Sequence, residues 1–69
     1  MNVMTRKSME EINNSRLLNL NDLMMYIGVG RNKAIDFGKE SSSIVRIGRR
    51  VLYDRERVDK YIDSLLEEV

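Results

Sequence analysis

The sequence predicts a small α+β domain: two short helices joined by a glycine turn, a β-hairpin, and a closing amphipathic helix. Three observations carry that expectation. Gly28-Val29-Gly30 separates two stretches of helical character. Gly48 divides two short runs rich in β-branched residues. From Val58 onward, apolar residues recur at i, i+3, i+4, i+7, i+8 and i+11.

At 69 residues the chain has room for one small domain. A domain of this size buries only about 60% of its unfolded surface, so its core is marginal. There is no Cys and no His. This excludes a disulfide framework, thiolate or imidazole metal sites, and the Ser-His-Asp triad. No apolar run approaches the roughly 18 residues of a membrane span, and no signal-peptide core is present. The expected location is therefore the cytoplasm, with no membrane partner. The chain is 33% charged and 42% hydrophobic, the composition of a folded protein.

A formal net charge of +1 names no partner, but the charges are unevenly placed. Residues 1–30 hold three basic and three acidic side chains. Residues 31–57 hold eight Lys or Arg against four Asp or Glu, and residues 58–69 hold one against four. A basic middle with an acidic tail points to a patch aimed at an anion, backed by a solvated helix.

Along the chain, Ser8 followed by Glu11 fits a capping box for one turn of helix through Asn14. Asn13-Asn14-Ser15 reads as a break, so residues 1–15 are expected to be a flexible N-terminal arm and residues 16–69 the folded domain. Arg16-Leu17-Leu18 is a short extended lead-in. Asn19 is a suitable N-cap with Asp22 in the first turn, and Leu20, Leu23, Met24 and Ile27 share one helix face. Gly28 suits a left-handed helix end.

A second helix is expected from about Arg31 to about Lys39, with Val29, Ala34 and Phe37 inward and Arg31, Asn32, Lys33 and Asp36 outward. Such a pair fits either a helix-turn-helix or an ordinary helical hairpin, and the turn length alone does not separate them. Ser41-Ser42-Ser43 reads as a linker. Ile44 to Ile47 and Val51 to Tyr53 form a hairpin around Gly48-Arg49-Arg50. Asp54 caps the last helix, whose stripe of Val58, Tyr61, Ile62, Leu65, Leu66 and Val69 is expected to face the core.

No catalytic constellation is visible, and the chain is not expected to be an enzyme or to need a cofactor, a metal or a small-molecule substrate. Glu10/Glu11 and Glu67/Glu68 are sequence neighbours, so on a helix each pair diverges by about 100° and reads as solvated surface. Gly28-x-Gly30 lacks the preceding buried strand and the third glycine of a dinucleotide loop. Tyr26, Phe37 and Tyr61 belong in or beside the core and do not form a stacking platform for single strands.

The functional signal is the order of parts: helix, glycine turn, basic-fronted helix, Arg-tipped hairpin, amphipathic helix. This is the plan of a winged helix-turn-helix, whose second helix enters the major groove of double-stranded DNA. Arg31 and Lys33 can donate to guanine O6 and N7, and Asn32 can pair with adenine N6 and N7. The hairpin arginines, Arg46, Arg49 and Arg50, would lie along the backbone or the adjacent minor groove. Lys39 and Arg55 of the same basic stretch, with the outward-facing Asp36, complete the candidate DNA-binding set.

Gly28-Val29-Gly30-Arg31-Asn32-Lys33-Ala34 resembles the turn and recognition-helix start of the excisionase family, small winged-helix DNA-binding proteins of prophages and conjugative transposons. Val45-Arg46-Ile47-Gly48-Arg49-Arg50-Val51-Leu52-Tyr53-Asp54 looks like that family's wing, and Val58-Asp59-Lys60-Tyr61-Ile62 is similar to its closing helix. The resemblance covers about residues 17–66. It implies an excisionase-like (MerR-like) winged fold and a recombination directionality factor that binds near an attachment site and helps a partner integrase excise a mobile element. By position it makes Arg31, Asn32 and Lys33 major-groove contacts and Arg46, Arg49 and Arg50 wing contacts.

The chain departs from that pattern in places. Position 36, often polar or basic in the family, is Asp36, which could pair with Lys33 or Arg31, accept from a cytosine amine, or repel phosphate. Gly38 stands where a larger apolar residue is usual, and the serine run replaces a Gly-x-Pro, so the second helix is expected to end early or pack loosely. Two other functions fit the same plan: a small winged-helix transcriptional regulator, and a protein-docking module that binds no DNA.

Overall fold

The computed structural model describes residues 8–67, and local capping chemistry sets its helix ends. Ser8 opens α1 (Met9–Asn14): its hydroxyl accepts the Glu11 N–H at 3.2 Å, and the Glu11 carboxylate accepts the Ser8 N–H at 3.0 Å. Asn19 opens α2 (Leu20–Ile27) by accepting the Asp22 N–H at 2.7 Å. Gly28 closes α2 with φ 71, a left-handed conformation that costs glycine little. After the turn, α3 spans Arg31–Glu40. Asp54 opens α4 (Arg55–Leu65) by accepting the Glu56 N–H at 3.1 Å.

Three strands, β1 (Leu17–Leu18), β2 (Ile44–Ile47) and β3 (Arg50–Asp54), form an antiparallel sheet in the order β1-β3-β2. The extended Leu17-Leu18 segment is thus an edge strand, with Leu17 opposite Asp54 and Leu18 opposite Tyr53. In the hairpin, Ile47 faces Arg50. The turn is therefore only Gly48-Arg49, with Gly48 at φ 59, and Arg50 belongs to the strand.

The buried core is Ile12, Leu18, Leu23, Ala34, Tyr53 and Val58, flanked by half-buried Leu20, Met24, Tyr26, Ile27, Val29, Phe37 and Ile62. Every element except β2 supplies one buried apolar side chain. The fold is a small α+β arrangement consistent with a winged helix. Ile12 places α1 in this core, so residues 8–15 belong to the folded domain and not to an arm. The expected arm otherwise falls on residues 1–7, outside the described residues.

The second helix neither ends early nor packs loosely. It reaches Glu40, and Gly38 is buried under the Tyr53 ring. A Cβ at position 38 would fall well inside contact distance of that ring. The serine run is also no slack linker. Ser42 takes φ 55, its N–H reaches the Lys39 carbonyl, and the Ser43 N–H reaches the Gly38 carbonyl, which is a Schellman-type helix end. The buried Ser41 and Ser43 hydroxyls lie 2.9 Å apart and each 3.3 Å from the Gly38 oxygen.

The last helix departs from its expected role. Val58 is buried and Tyr61 and Ile62 are half-buried, but α4 stops at Leu65. Leu65 is 54% exposed and Leu66, beyond the helix, is 72% exposed. Among the described residues no element covers that end of the stripe. Val69 lies outside the described residues.

At the junction of β1, β3 and α4, Arg16 donates through Nε and Nη2 to the two carboxylate oxygens of Asp54, each at 3.2 Å. The Arg55 N–H meets the Arg16 carbonyl at 2.7 Å. The hydrogen bonds from Arg16 hold the Asp54 carboxyl below the usual carboxylate range. Burial opposes this shift, and the Glu56 N–H and the charges of Arg16 and Arg57 reinforce it.

Three stability outcomes follow from this packing. Ile62→Ala should cost about 1–2 kcal/mol, as expected for a half-buried side chain, while Leu65→Ala should stay within about 0.5 kcal/mol in chemical denaturation. Gly38→Ala would gain roughly 1 kcal/mol of helix propensity on an open helix, but overlap with Tyr53 should reverse the sign to a net loss of about 1–3 kcal/mol. Much of that loss should disappear in a Tyr53→Leu background. Because the Asp54 pKa is lower in the folded state than in the unfolded one, its contribution is present above the usual carboxylate range and is lost as pH falls through it. Asp54→Ala should therefore cost about 1–2 kcal/mol at neutral pH. The gap between variant and parent should close as the solution is acidified.

Candidate nucleic-acid interface

The exposed face of α3 follows from its buried one. Ala34 and Gly38 point into the core. At about 100° per residue, Asn32, Asp36 and Lys39 then project from the opposite side. Lys33 and Glu40 lie on the flank beside Phe37, and Arg31 and Ile35 lie on the other flank. Arg31, Asn32, Lys33, Asp36, Lys39 and Glu40 are all exposed. Position 32, rather than 31, is thus the first residue central to this face.

The Phe37 flank is tied to α4. The Phe37 and Tyr61 rings meet edge to face with centroids 5.1 Å apart, and the Tyr61 hydroxyl donates to the Glu40 carboxylate at 3.1 Å. That hydrogen bond raises the Tyr61 phenol above its ordinary pKa. Val29, Lys33, Asp36, Phe37 and Glu40 line an open depression of about 300 Å³ along this flank. Glu40 was not singled out from the sequence, although its i+4 spacing from Asp36 places it on this side of the helix.

The hairpin carries its arginines on different faces. Opposed residues and residues two apart share a face. Arg46 opposite Val51 therefore lies on the face of Tyr53, whereas Arg50 opposite Ile47 lies on the other. Arg49 sits in the turn between them. The three do not form a one-sided patch, and the hairpin presents positive charge on both faces and at its tip. Ile47 and Val51, both exposed, supply apolar surface between the arginines.

Arg31, Lys33, Lys39, Arg46, Arg49 and Arg50 are all exposed, and among the described residues none of them forms an ion pair or a side-chain hydrogen bond. Asp36 likewise pairs with neither Lys33 nor Arg31. Arg55 is different. Its Nε donates to the Ser15 carbonyl at 2.7 Å and its Nη1 to Asp59 at 3.0 Å. Asp59 also accepts the Tyr26 hydroxyl at 2.6 Å, which raises the Tyr26 phenol above its ordinary pKa. Arg55 thus joins α4 to the segment after α1, and its guanidinium is already engaged. It stands apart from the other eight candidates.

Among the described residues no cluster of carboxylates has the makings of a metal site, and no helix is long and apolar enough to cross a membrane. Comparisons with protein-family models, with curated proteins and with solved structures returned no match.

Proposed function

We propose that this chain binds double-stranded DNA, with α3 in the major groove and the β2–β3 hairpin against the backbone or the neighbouring minor groove. One observation carries this reading: six exposed cations on α3 and the hairpin have no internal partner among the described residues. The carboxylates of Glu40, Asp54 and Asp59, by contrast, are engaged internally. Unpaired surface cations release counterions when they meet phosphates, which supplies affinity independent of sequence. A hairpin charged at its tip and on both faces suits a narrow groove, where phosphates lie on either side. Arg31 and Lys33 also sit at the positive end of the α3 dipole, where cations do not favour the helix and an anion does.

Within this reading, the resemblance of the turn and wing residues to excisionases supports a role as a recombination directionality factor acting beside an integrase. Footprinting on the attachment regions of the element that encodes the chain, with an excision assay using its integrase, tests that role directly. Protection outside those regions, with no effect on excision, would favour a transcriptional regulator instead.

The DNA contacts have separable signatures. Replacing Arg49 and Arg50 together with alanine should weaken binding to all duplexes alike. It should also flatten the log–log salt dependence by roughly 0.9 for each phosphate that is no longer neutralised. Asn32→Ala should leave melting and salt slope unchanged, yet cost about 1–3 kcal/mol on the preferred duplex and little on random DNA. Affinities for both duplexes at one salt concentration decide this, since equal losses would exclude base reading by Asn32.

A further inference from the structure

We infer that Asp36 makes the chain selective for a cytosine in its site, an inference that rests on the DNA-binding reading above. Asp36 lies one turn beyond Asn32, and the two share the centre of the outward face of α3. It is exposed, and it has no hydrogen bond or ion pair among the described residues. Lys33 and Lys39 each lie three residues away, within reach along the helix, and neither closes on it. Glu40, the other carboxylate on this side of α3, accepts from Tyr61. Asp36 is therefore the carboxylate at the centre of this face, and no hydrogen-bond donor meets it among the described residues.

An ionised carboxylate has no donor of its own. Phosphate oxygens, guanine O6 and N7, and thymine O4 are all acceptors and repel it. The partners left in the major groove are the exocyclic amines of cytosine and adenine. The adenine amine adjoins the N7 acceptor, which penalises a carboxylate approaching it, whereas the cytosine amine has no acceptor beside it in the groove. A cytosine N4 amine opposite Asp36 thus turns repulsion into a charge-assisted hydrogen bond. Any other base leaves the carboxylate without a partner. Asp36 acts chiefly by rejecting wrong sequences, as a cost imposed on every duplex that lacks the amine.

Selection from a randomised duplex library, run in parallel with the parent chain and Asp36→Ala, tests this. Because the side chain is exposed, the variant should melt like the parent. The parent should select cytosine at one position and bind duplexes altered there about tenfold more weakly. Asp36→Ala should lose that preference, keep the others, and bind random DNA about two- to fivefold more tightly through relief of like-charge repulsion. Asp36→Asn, able to donate as well as accept, should shift the preference at that position to adenine. A parent that selects adenine there, or an Asp36→Ala variant with unchanged preferences, would overturn the cytosine assignment while leaving DNA binding intact. A parent that binds no duplex would overturn both.

Discussion

The contact between Tyr53 and the bare backbone of Gly38 is the constraint on which the rest of the arrangement depends. Tyr53 lies on β3, the central strand, and is buried against α3 and Leu18. Glycine is a poor helix former, and its place in α3 is explained only by the ring above it. The same position fixes the end of α3. Its carbonyl accepts the Ser43 N–H, with the Ser41 and Ser43 hydroxyls gathered around it. The Ser43 carbonyl then accepts the Asp54 N–H at 2.7 Å, which ties the helix end to the strand. Through these few atoms the direction of α3 and that of the hairpin are set together. For a protein that would read a groove with one and clamp a backbone with the other, that angle is the quantity to hold constant.

The core itself is small, and its distribution is informative. Strand β2 contributes no fully buried side chain and is held chiefly by its ladder with β3. An exposed edge strand carrying Ile44 and Ile47 would be prone to pair with other chains, and the charge of Arg46 on that strand opposes such pairing. The hairpin is thus held in shape by the ladder along its length, and its side chains are otherwise available for contact. Every element but β2 supplies a buried apolar side chain, and α3 turns the buried Ala34 and Gly38 inward and its unpaired cations outward.

The paired arginines gather at one junction, while Arg57 and Lys60 of α4 are exposed and form no ion pair among the described residues. Arg16 with Asp54 and Arg55 with Asp59 close the junction between the N-terminal segment and α4. Arg16 is 64% exposed, so its pair with Asp54 adds modestly to stability. The value of these pairs lies more in orientation, since the bidentate geometry holds β1 in register on β3. The cations of α3 and the hairpin have no comparable internal role among the described residues.

Much of this fold was legible because it is written in short-range chemistry. Ser8, Asn19 and Asp54 as caps, Gly28 as a stop, and the glycine-centred hairpin each depend on residues within four positions, and those residues are visible together in the sequence. The outward placement of Asn32, Lys33 and Asp36 followed from the same helical period. What the sequence could not supply were contacts between distant segments. Arg55 looked like its basic neighbours until Ser15 and Asp59 claimed it. Gly38 looked like a defect until Tyr53 filled the space above it. The stripe of α4 looked like uninterrupted core, but periodicity records only which residues share a face, not whether anything lies against it. The sequence by itself determined where the helices are capped and stopped and which side chains share a helix face. Tertiary structure alone decided which of those side chains are buried, paired or left free, because burial and pairing depend on atoms brought together from opposite ends of the chain.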